Sequence, residues 1–416
     1  MTRHEFLEQK WTRYPVLPEK ISFVGRIHEI QFRGTCWEVT VTREGKSYNQ
    51  LFPKLFFREI PNLNVAKILL SGDLVGISEE GLVTLLAPSL QQLPARALRL
   101  ETLRLWQDYV YWLREFFRQQ GFVEIATPSL VKCPGTEPSL DVFSTEFING
   151  SRKEKLYLPT SPELHLKKAL SLGAEKIFEI KNVFRNGEVT DHHQPEFTMI
   201  EWYRAYVDLQ SIKADVTSLV NYLVQKIPAF KNSLGPSAGF KSFTVQQLFL
   251  QHCGFDFKPN TSAEQLKALA EKLKVDVRSA TSIDDYFFLL FMEKIETQFA
   301  PECVTFVEKY PPYQAALARI STDGWGDRFE VYWQGLELAN AFHELNDPMA
   351  QKQRFAEDIA KKRSLKKEEV PLDSEFMQCL EAGMPPSAGI ALGVERLFMA
   401  LTGIKNISEI RLFPMK

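Results

Sequence analysis

Cationic, imidazole and carboxylate side chains are packed into one short stretch, Phe178–Tyr206 (FEIKNVFRNGEVTDHHQPEFTMIEWYRAY). The alternation of Ile177, Phe178, Ile180, Val183 and Phe184 predicts a strand with one buried face. Asn186, Gly187, Thr190, Asp191, His192, His193 and Pro195 then give a polar turn. Phe197, Met199, Ile200 and Trp202 restart a strand pattern. A hairpin with a charged tip is the expectation, with Arg185 at the end of its first strand and Glu196 and Glu201 on its second. A hairpin that only stabilised a sheet has no use for this set; a site for a polyanion beside an ammonium does.

Three further stretches carry comparable chemistry. In Arg328–Asp347, Glu330, Tyr332 and Gln334 share parity on one strand, and Glu337 and Glu344 fall in the returning strand and just beyond it. Carboxylates on otherwise apolar strands are costly to bury unless they meet cations. Mg²⁺ commonly takes one or two carboxylates together with substrate phosphates. In Gly383–Phe413 a small-residue strand turns into a helix at Gly393, where the backbone can approach closely; the helix N-terminus and Arg396 make an anion site. In Tyr157–Lys168, Ser161 can cap a helix whose first turn holds Pro162, and Glu163 is favoured there by the helix dipole.

These strings resemble the class II aminoacyl-tRNA synthetases of the lysine type. F-R-N-x-E…H-x-P-E-F-T-M-x-E-W-Y (Phe184–Tyr203) is similar to motif 2, and G-x-A-x-G-x-E-R (Gly389–Arg396) resembles motif 3, with Phe413-Pro414 following. E-L-A-N (Glu337–Asn340) and F-H-E-L-x-D (Phe342–Asp347) look like the elongation factor P lysyltransferases, paralogues of lysyl-tRNA synthetase. The likeness covers about residues 100–416.

The resemblance implies an α+β fold, an antiparallel sheet flanked by helices, and activation of an amino acid by ATP and Mg²⁺ as its adenylate. It places Arg185 on the α-phosphate and the amino-acid carboxylate, and His193 on the phosphate side. Phe197 and Arg396 sandwich the adenine, with Arg396 also reaching the γ-phosphate. Gly187 interrupts the family's R-N-E, so either Glu188, displaced by one position, takes the adenine amino group or that contact is lost. Glu330 and Glu337 hold Mg²⁺. Glu163 takes the α-ammonium, Asn340 the amino-acid carboxylate, and Glu344 and Tyr203 the distal ammonium. With Glu201, these carboxylates suit a dication, lysine or β-lysine, and repel aspartate. Ala341 stands where the family has Gly, which narrows the amino-acid pocket. The implied acceptor is a lysine side chain of elongation factor P. A ligase acting on tRNA, or a non-catalytic synthetase-like binding protein, is the alternative.

The rest of the chain must position these groups. Its 416 residues are 44% hydrophobic and 25% charged, with a net charge of −2, so heavy nonspecific nucleic-acid binding is not expected. Five scattered cysteines without metal-ligand spacing fit a reducing compartment. With no apolar run long enough to span a membrane, the sequence predicts a cytoplasmic protein. Residues 1–95 carry about five short strand patterns and predict a small all-β, OB-like module with 11 Lys and Arg against 10 Asp and Glu. Leu90–Leu98 is expected to link it to a catalytic domain over 96–416. There an amphipathic helix over Arg99–Gln120 and a strand over Phe122–Pro128 resemble motif 1, which implies a homodimer. A helix capped by Asp208, a helical insertion over about 235–300, and a polar helix near Gln351–Lys367 complete the prediction.

Overall fold

The computed structural model describes residues 2–9, 18, 20–43, 46–58, 63, 68–89, 100–231, 239–315 and 317–415. The chain divides into two compact units, Met1–Leu105 and Trp106–Lys416. The predicted linker over Leu90–Leu98 lies outside the described residues.

The first unit holds a short helix, α1 (Arg3–Gln9), and strands β1 (Phe23–Phe32), β2 (Trp37–Arg43), β3 (Lys46–Phe52), β4 (Phe56–Phe57), β5 (Leu74–Ile77) and β6 (Leu82–Ala87). They form one sheet in the order β3-β2-β1-β5-β6-β4. Alternation puts Val39 and Val41 of β2 inward against Ile27, Val75 and Val83. Buried Asp73 is held by a two-pronged Arg3 pair at 2.6 and 2.7 Å and by the amides of Leu70 and Ser89. Neither α1 nor β4 is visible in the sequence pattern; both are too short to carry a period.

The second unit begins within α2 (Leu100–Gln119), which is followed by Gly121 at φ 77°, a left-handed position glycine adopts without strain. Then come β7 (Val123–Glu124), β8 (Phe143–Asn149), β9 (Arg152–Leu158), α3 (Glu163–Ser171), β10 (Lys176–Phe184), β11 (Glu196–Ala205), α4 (Leu209–Lys226) and α5 (Pro228–Lys231). The insertion follows as β12 (Phe240–Thr244), α6 (Val245–Cys253), α7 (Ala263–Lys272) and α8 (Ile283–Leu290), the last running into a π turn over Phe291–Ile295. Thr244, Ser262 and Ser282 start these three helices with reciprocal capping boxes. β13 (Val304–Tyr310), β14 (Gly326–Trp333), β15 (Leu336–His343), α9 (Pro348–Ser364), α10 (Ser374–Gly383), β16 (Ser387–Gly393) and α11 (Val394–Thr402) complete it. Pro311-Pro312 ends β13, and a single 3₁₀ turn follows. The strand expected over Phe122–Pro128 reduces to β7.

One eight-stranded sheet in the order β12-β13-β14-β15-β16-β11-β10-β7 is the frame of this unit. Its central pairs are antiparallel, and a parallel pair closes each edge. Asp208 caps α4 by accepting the Ser211 amide at 3.1 Å. Phe117 stacks on Phe178 at 5.0 Å and meets Trp202 at 4.9 Å, which seals the back of the hairpin strands. Among the described residues no helix is long and apolar enough to cross a membrane.

Candidate active site

Residues opposite one another in a sheet present their side chains to the same face. One row across the sheet runs Glu330 (β14), Asn340 (β15), Ala391 (β16), Glu201 (β11) and Glu179 (β10). The next such row on that face runs Arg328, Phe342, Gly389, Tyr203 and Ile177. The short side chains of β16 leave space above the middle of the sheet. A cavity of about 260 Å³ opens there, lined by Glu163, Arg185, His193, Phe197, Glu201, Tyr203, Glu337, Asn340 and Arg396 among others. A Cβ on Gly389 would lie 2.2 Å from the Tyr203 ring. Gly389→Ala is therefore expected to cost about 1–3 kcal/mol by overpacking and to push Tyr203 off Glu201; chemical denaturation checks the first effect and amino-acid affinity the second.

The hairpin forms as its pattern predicts. β10 and β11 pair in unbroken register from Lys176↔Arg204 to Phe184↔Glu196. This puts Arg185 and Phe197 side by side, with the guanidinium 5.1 Å from the ring centroid. Arg396, on the first turn of α11, donates to the Glu337 carbonyl at 2.8 Å and to His193 Nε2. His193 Nδ1 lies 2.8 Å from Thr190 Oγ1. An Nε2 that accepts from a guanidinium is unprotonated, so the ring carries its proton on Nδ1. Burial, then Arg396 and Arg185, push this imidazole down to about 4, so it is neutral at pH 7. Glu395 anchors this end: its carboxylate accepts the Thr198 amide at 3.0 and 2.9 Å and the Arg411 guanidinium at 2.7 Å.

Acidic groups occupy the other end. Glu201 accepts from Ser161 Oγ at 2.5 Å and from the Tyr203 hydroxyl at 2.9 Å. Ser161 Oγ also accepts the Glu163 amide at 3.0 Å, so it ties the start of α3 to β11; the helix begins one residue later than its pattern predicts, with Pro162 rather than Ser161 at the N-cap. Glu344, just past β15, is buried and pairs with Lys167. Lys167 is 2.5 Å from both Glu163 Oε1 and Glu344 Oε2.

The titration of this end follows from its burial. Desolvation first, and Glu163 second, push the Glu201 carboxyl up to about 8. Desolvation pushes Glu344 up to about 7 against the pull of Lys167. An unfolded glutamate ionises near pH ~4.3. Between there and about 8 these carboxyls hold more protons folded than unfolded, so their contribution to stability falls as pH rises through that window. A ligand bearing ammonium groups favours the ionised carboxylates. The expected result is a melting temperature of the free protein that declines towards pH 8 and a ligand affinity that rises over the same range; thermal unfolding against pH, with and without ligand, checks both.

The remaining predicted residues divide. Glu337 lines the cavity with Asn340, although a three-residue separation on a regular strand would put them on opposite faces. A bulge in β15, where Val331 faces Ala339 but Tyr332 faces Glu337, turns Glu337 back to the cavity side. Asn340 Oδ1 accepts from Arg328 Nε at 2.9 Å. Glu330 stands on the same face but does not line the cavity: Arg328 donates to one of its oxygens, and Tyr310 and Tyr332 donate to the other. Glu344 lies beneath the lining. Glu188 is half-buried in the tip and does not line the cavity.

Lys167, Arg328 and Glu137 were not singled out by the sequence. Glu137 lines the cavity, and its carboxyl is raised by burial and by Glu163. In sequence, Lys167 is one of two adjacent lysines on an amphipathic helix, and only its i+4 spacing from Glu163 could have marked it.

A single, mainly antiparallel sheet thus carries an arginine pair at one end of its open face and a carboxylate cluster at the other. The chain belongs to the family of tRNA synthetases class II (D, K and N), which matches residues 91–416. Among its relatives are proteins named elongation factor P–(R)-β-lysine ligase. That of Haemophilus ducreyi is 37% identical over 308 residues, 73% of this chain and 90% of the relative. That of Salmonella typhi is 36% identical over 309 residues, 73% and 91%. That of Hamiltonella defensa is 33% identical over 317 residues, 74% and 93%.

Proposed function

We propose that this protein activates lysine or (R)-β-lysine with ATP and transfers it to a lysine side chain of elongation factor P. The observation that carries this reading is the polarity of one cavity. Arg185 and Arg396 stand at one end, and Glu163, Glu201 and Glu344 gather at the other. A diamino acid has the matching polarity, with ammonium groups for the acidic end and a carboxylate directed at the arginines.

In the first step a carboxylate oxygen attacks the α-phosphorus of ATP, the bond to the β-phosphate oxygen breaks, and pyrophosphate leaves. Arg185 neutralises the charge that develops at the α-phosphate, and Arg396 that on the leaving group. Phe197 offers a flat face to the adenine. Neutral His193 holds Arg396 in line. The carboxylate cluster fixes the ammonium groups, so the attack becomes effectively intramolecular. In the second step the acceptor amine attacks the carbonyl carbon and AMP departs with the carboxylate oxygen.

Mg²⁺ fits in part. The Glu337 carboxylate has no hydrogen-bond partner among the described residues, whereas both Glu330 oxygens already accept hydrogen bonds. Glu337 would hold the ion and Glu330 would support it; the ion screens the negative charge of the triphosphate. Glu188 would reach the adenine amino group only after the tip rearranges. A homodimer through α2, and an OB-like first unit, complete the proposal.

A tRNA acceptor is the second reading. It is favoured by the first unit, where exposed Phe32 lies 5.2 Å from Trp37 on a strand pair that could stack bases. ATP–pyrophosphate exchange with lysine and β-lysine, followed by transfer of labelled amino acid, tests both. Label on elongation factor P supports the main reading and label on tRNA supports the second. Absence of exchange with any diamino acid sinks both and leaves a non-catalytic binding protein.

A further inference from the structure

We infer that Lys167 determines which diamino acid the pocket accepts, by fixing the distance between its two ammonium-binding carboxylates. This rests on the reading above that the substrate is a diamino acid. Glu163 stands in the first turn of α3, and Glu344 stands just beyond the far end of β15. Lys167 is fully buried, and its ammonium lies 2.5 Å from an oxygen of each. A buried ammonium between two carboxylates is the shortest bridge available to them, and neither can move without stripping it of a partner.

Each carboxylate gives one oxygen to Lys167 and keeps the other. Glu344 Oε1 is buried with no hydrogen-bond partner among the described residues. It lies 2.8 Å from where a Cβ on Gly389 would stand, beside the Tyr203 ring and at the cavity floor. An unpartnered buried carboxylate oxygen aimed there is the complement of a substrate ammonium.

The charges sum in the same direction. Glu163, Glu201 and Glu344 bring three negative charges when ionised, and Lys167 cancels one. At least two remain, enough for the two ammonium groups of one diamino acid, with Glu137 a further carboxyl in the lining. Without Lys167 such a ligand would leave one buried carboxylate uncompensated. Lys167 touches neither the triphosphate end nor the arginines, so it is a positioning residue.

Lysine and β-lysine differ by one methylene in the separation of their ammonium groups. A difference of this size in a fitted pocket is worth about 10–200-fold in kcat/KM. The test is ATP–pyrophosphate exchange with both amino acids, in the wild type and in Lys167→Arg, whose longer, forked head forces the carboxylates apart. The expected result is a change of about tenfold or more in the ratio of the two kcat/KM values, carried by KM, with KM for ATP unchanged. Lys167→Gln, which keeps a donor but drops the charge, is read in the same way if the arginine variant does not fold. A parallel fall for both amino acids with an unchanged ratio overturns the inference and leaves Lys167 a structural support. A wild type that exchanges with neither amino acid sinks the functional reading, and the inference with it.

Discussion

Arg185→Ala is expected to lower kcat/KM for ATP–pyrophosphate exchange by about 10²–10³, the usual loss when one preorganised donor to a developing charge is removed. Its stability should barely change. Among the described residues the Arg185 side chain makes no ion pair, its Nε is unpartnered, and its guanidinium lies over the Phe197 ring. A half-exposed cation over a ring is worth about 0.5–1 kcal/mol, so denaturant unfolding should shift by no more than that. A guanidinium with so little to do for the fold is available to an anion. If exchange survives the substitution at near wild-type rate, the assignment of the arginine end to the triphosphate fails.

Glu344→Gln makes the opposite comparison at the acidic end. Removing one partner of a buried charge pair costs a complex about 2–5 kcal/mol, and tenfold corresponds to about 1.4 kcal/mol. KM for the diamino acid should therefore rise by roughly two to three orders of magnitude, with KM for ATP little altered. The free protein should not be weakened at pH 8. Lys167 keeps Glu163 at 2.5 Å, and the variant has lost a carboxyl that burial holds up to about 7. Its melting temperature should then depend less on pH than that of the wild type. Kinetics and thermal unfolding over the same pH series check the two halves. A large loss of stability without loss of affinity would make Glu344 a fold residue.

The parts of this site that follow local rules were legible in the sequence. The hairpin strands, the Asp208 cap and the α6–α8 insertion show the periods and end signals of regular elements, and they form close to the expected positions. Phe197, Glu201 and Tyr203 share parity on one strand, and the sheet brings them to one face. What could not be read depends on pairing between distant strands. The bulge that turns Glu337 towards Asn340 is a mismatch between β14 and β15 and leaves no mark on either strand alone. Glu330 was expected to be available to a metal; Arg328 and Tyr332 flank it at i−2 and i+2 on its own strand, and Tyr310 reaches it only through the pairing of β13 with β14. Lys167 illustrates the same limit, since a Glu–Lys pair at i,i+4 has one spelling on a solvated helix and in a buried site. The strand forecast over Phe122–Pro128 exceeded β7 because a run ending in proline has no local feature to say how much of it finds a partner.

The unbroken ladder of the hairpin bears on how such a site can vary over evolutionary time. From Lys176↔Arg204 to Phe184↔Glu196 no residue is skipped, and Gly187 falls beyond the last rung, at φ 81° with nothing within 4 Å of the place its side chain would occupy. Length changes in the tip are therefore absorbed before they reach Arg185 or Phe197, at a loop-closure cost that grows only slowly with length. Contacts made by the tip can be gained or lost by insertion, while those made at the strand ends are insulated from it. The hairpin separates an adjustable rim from a fixed pair, the Arg185 guanidinium over the Phe197 ring.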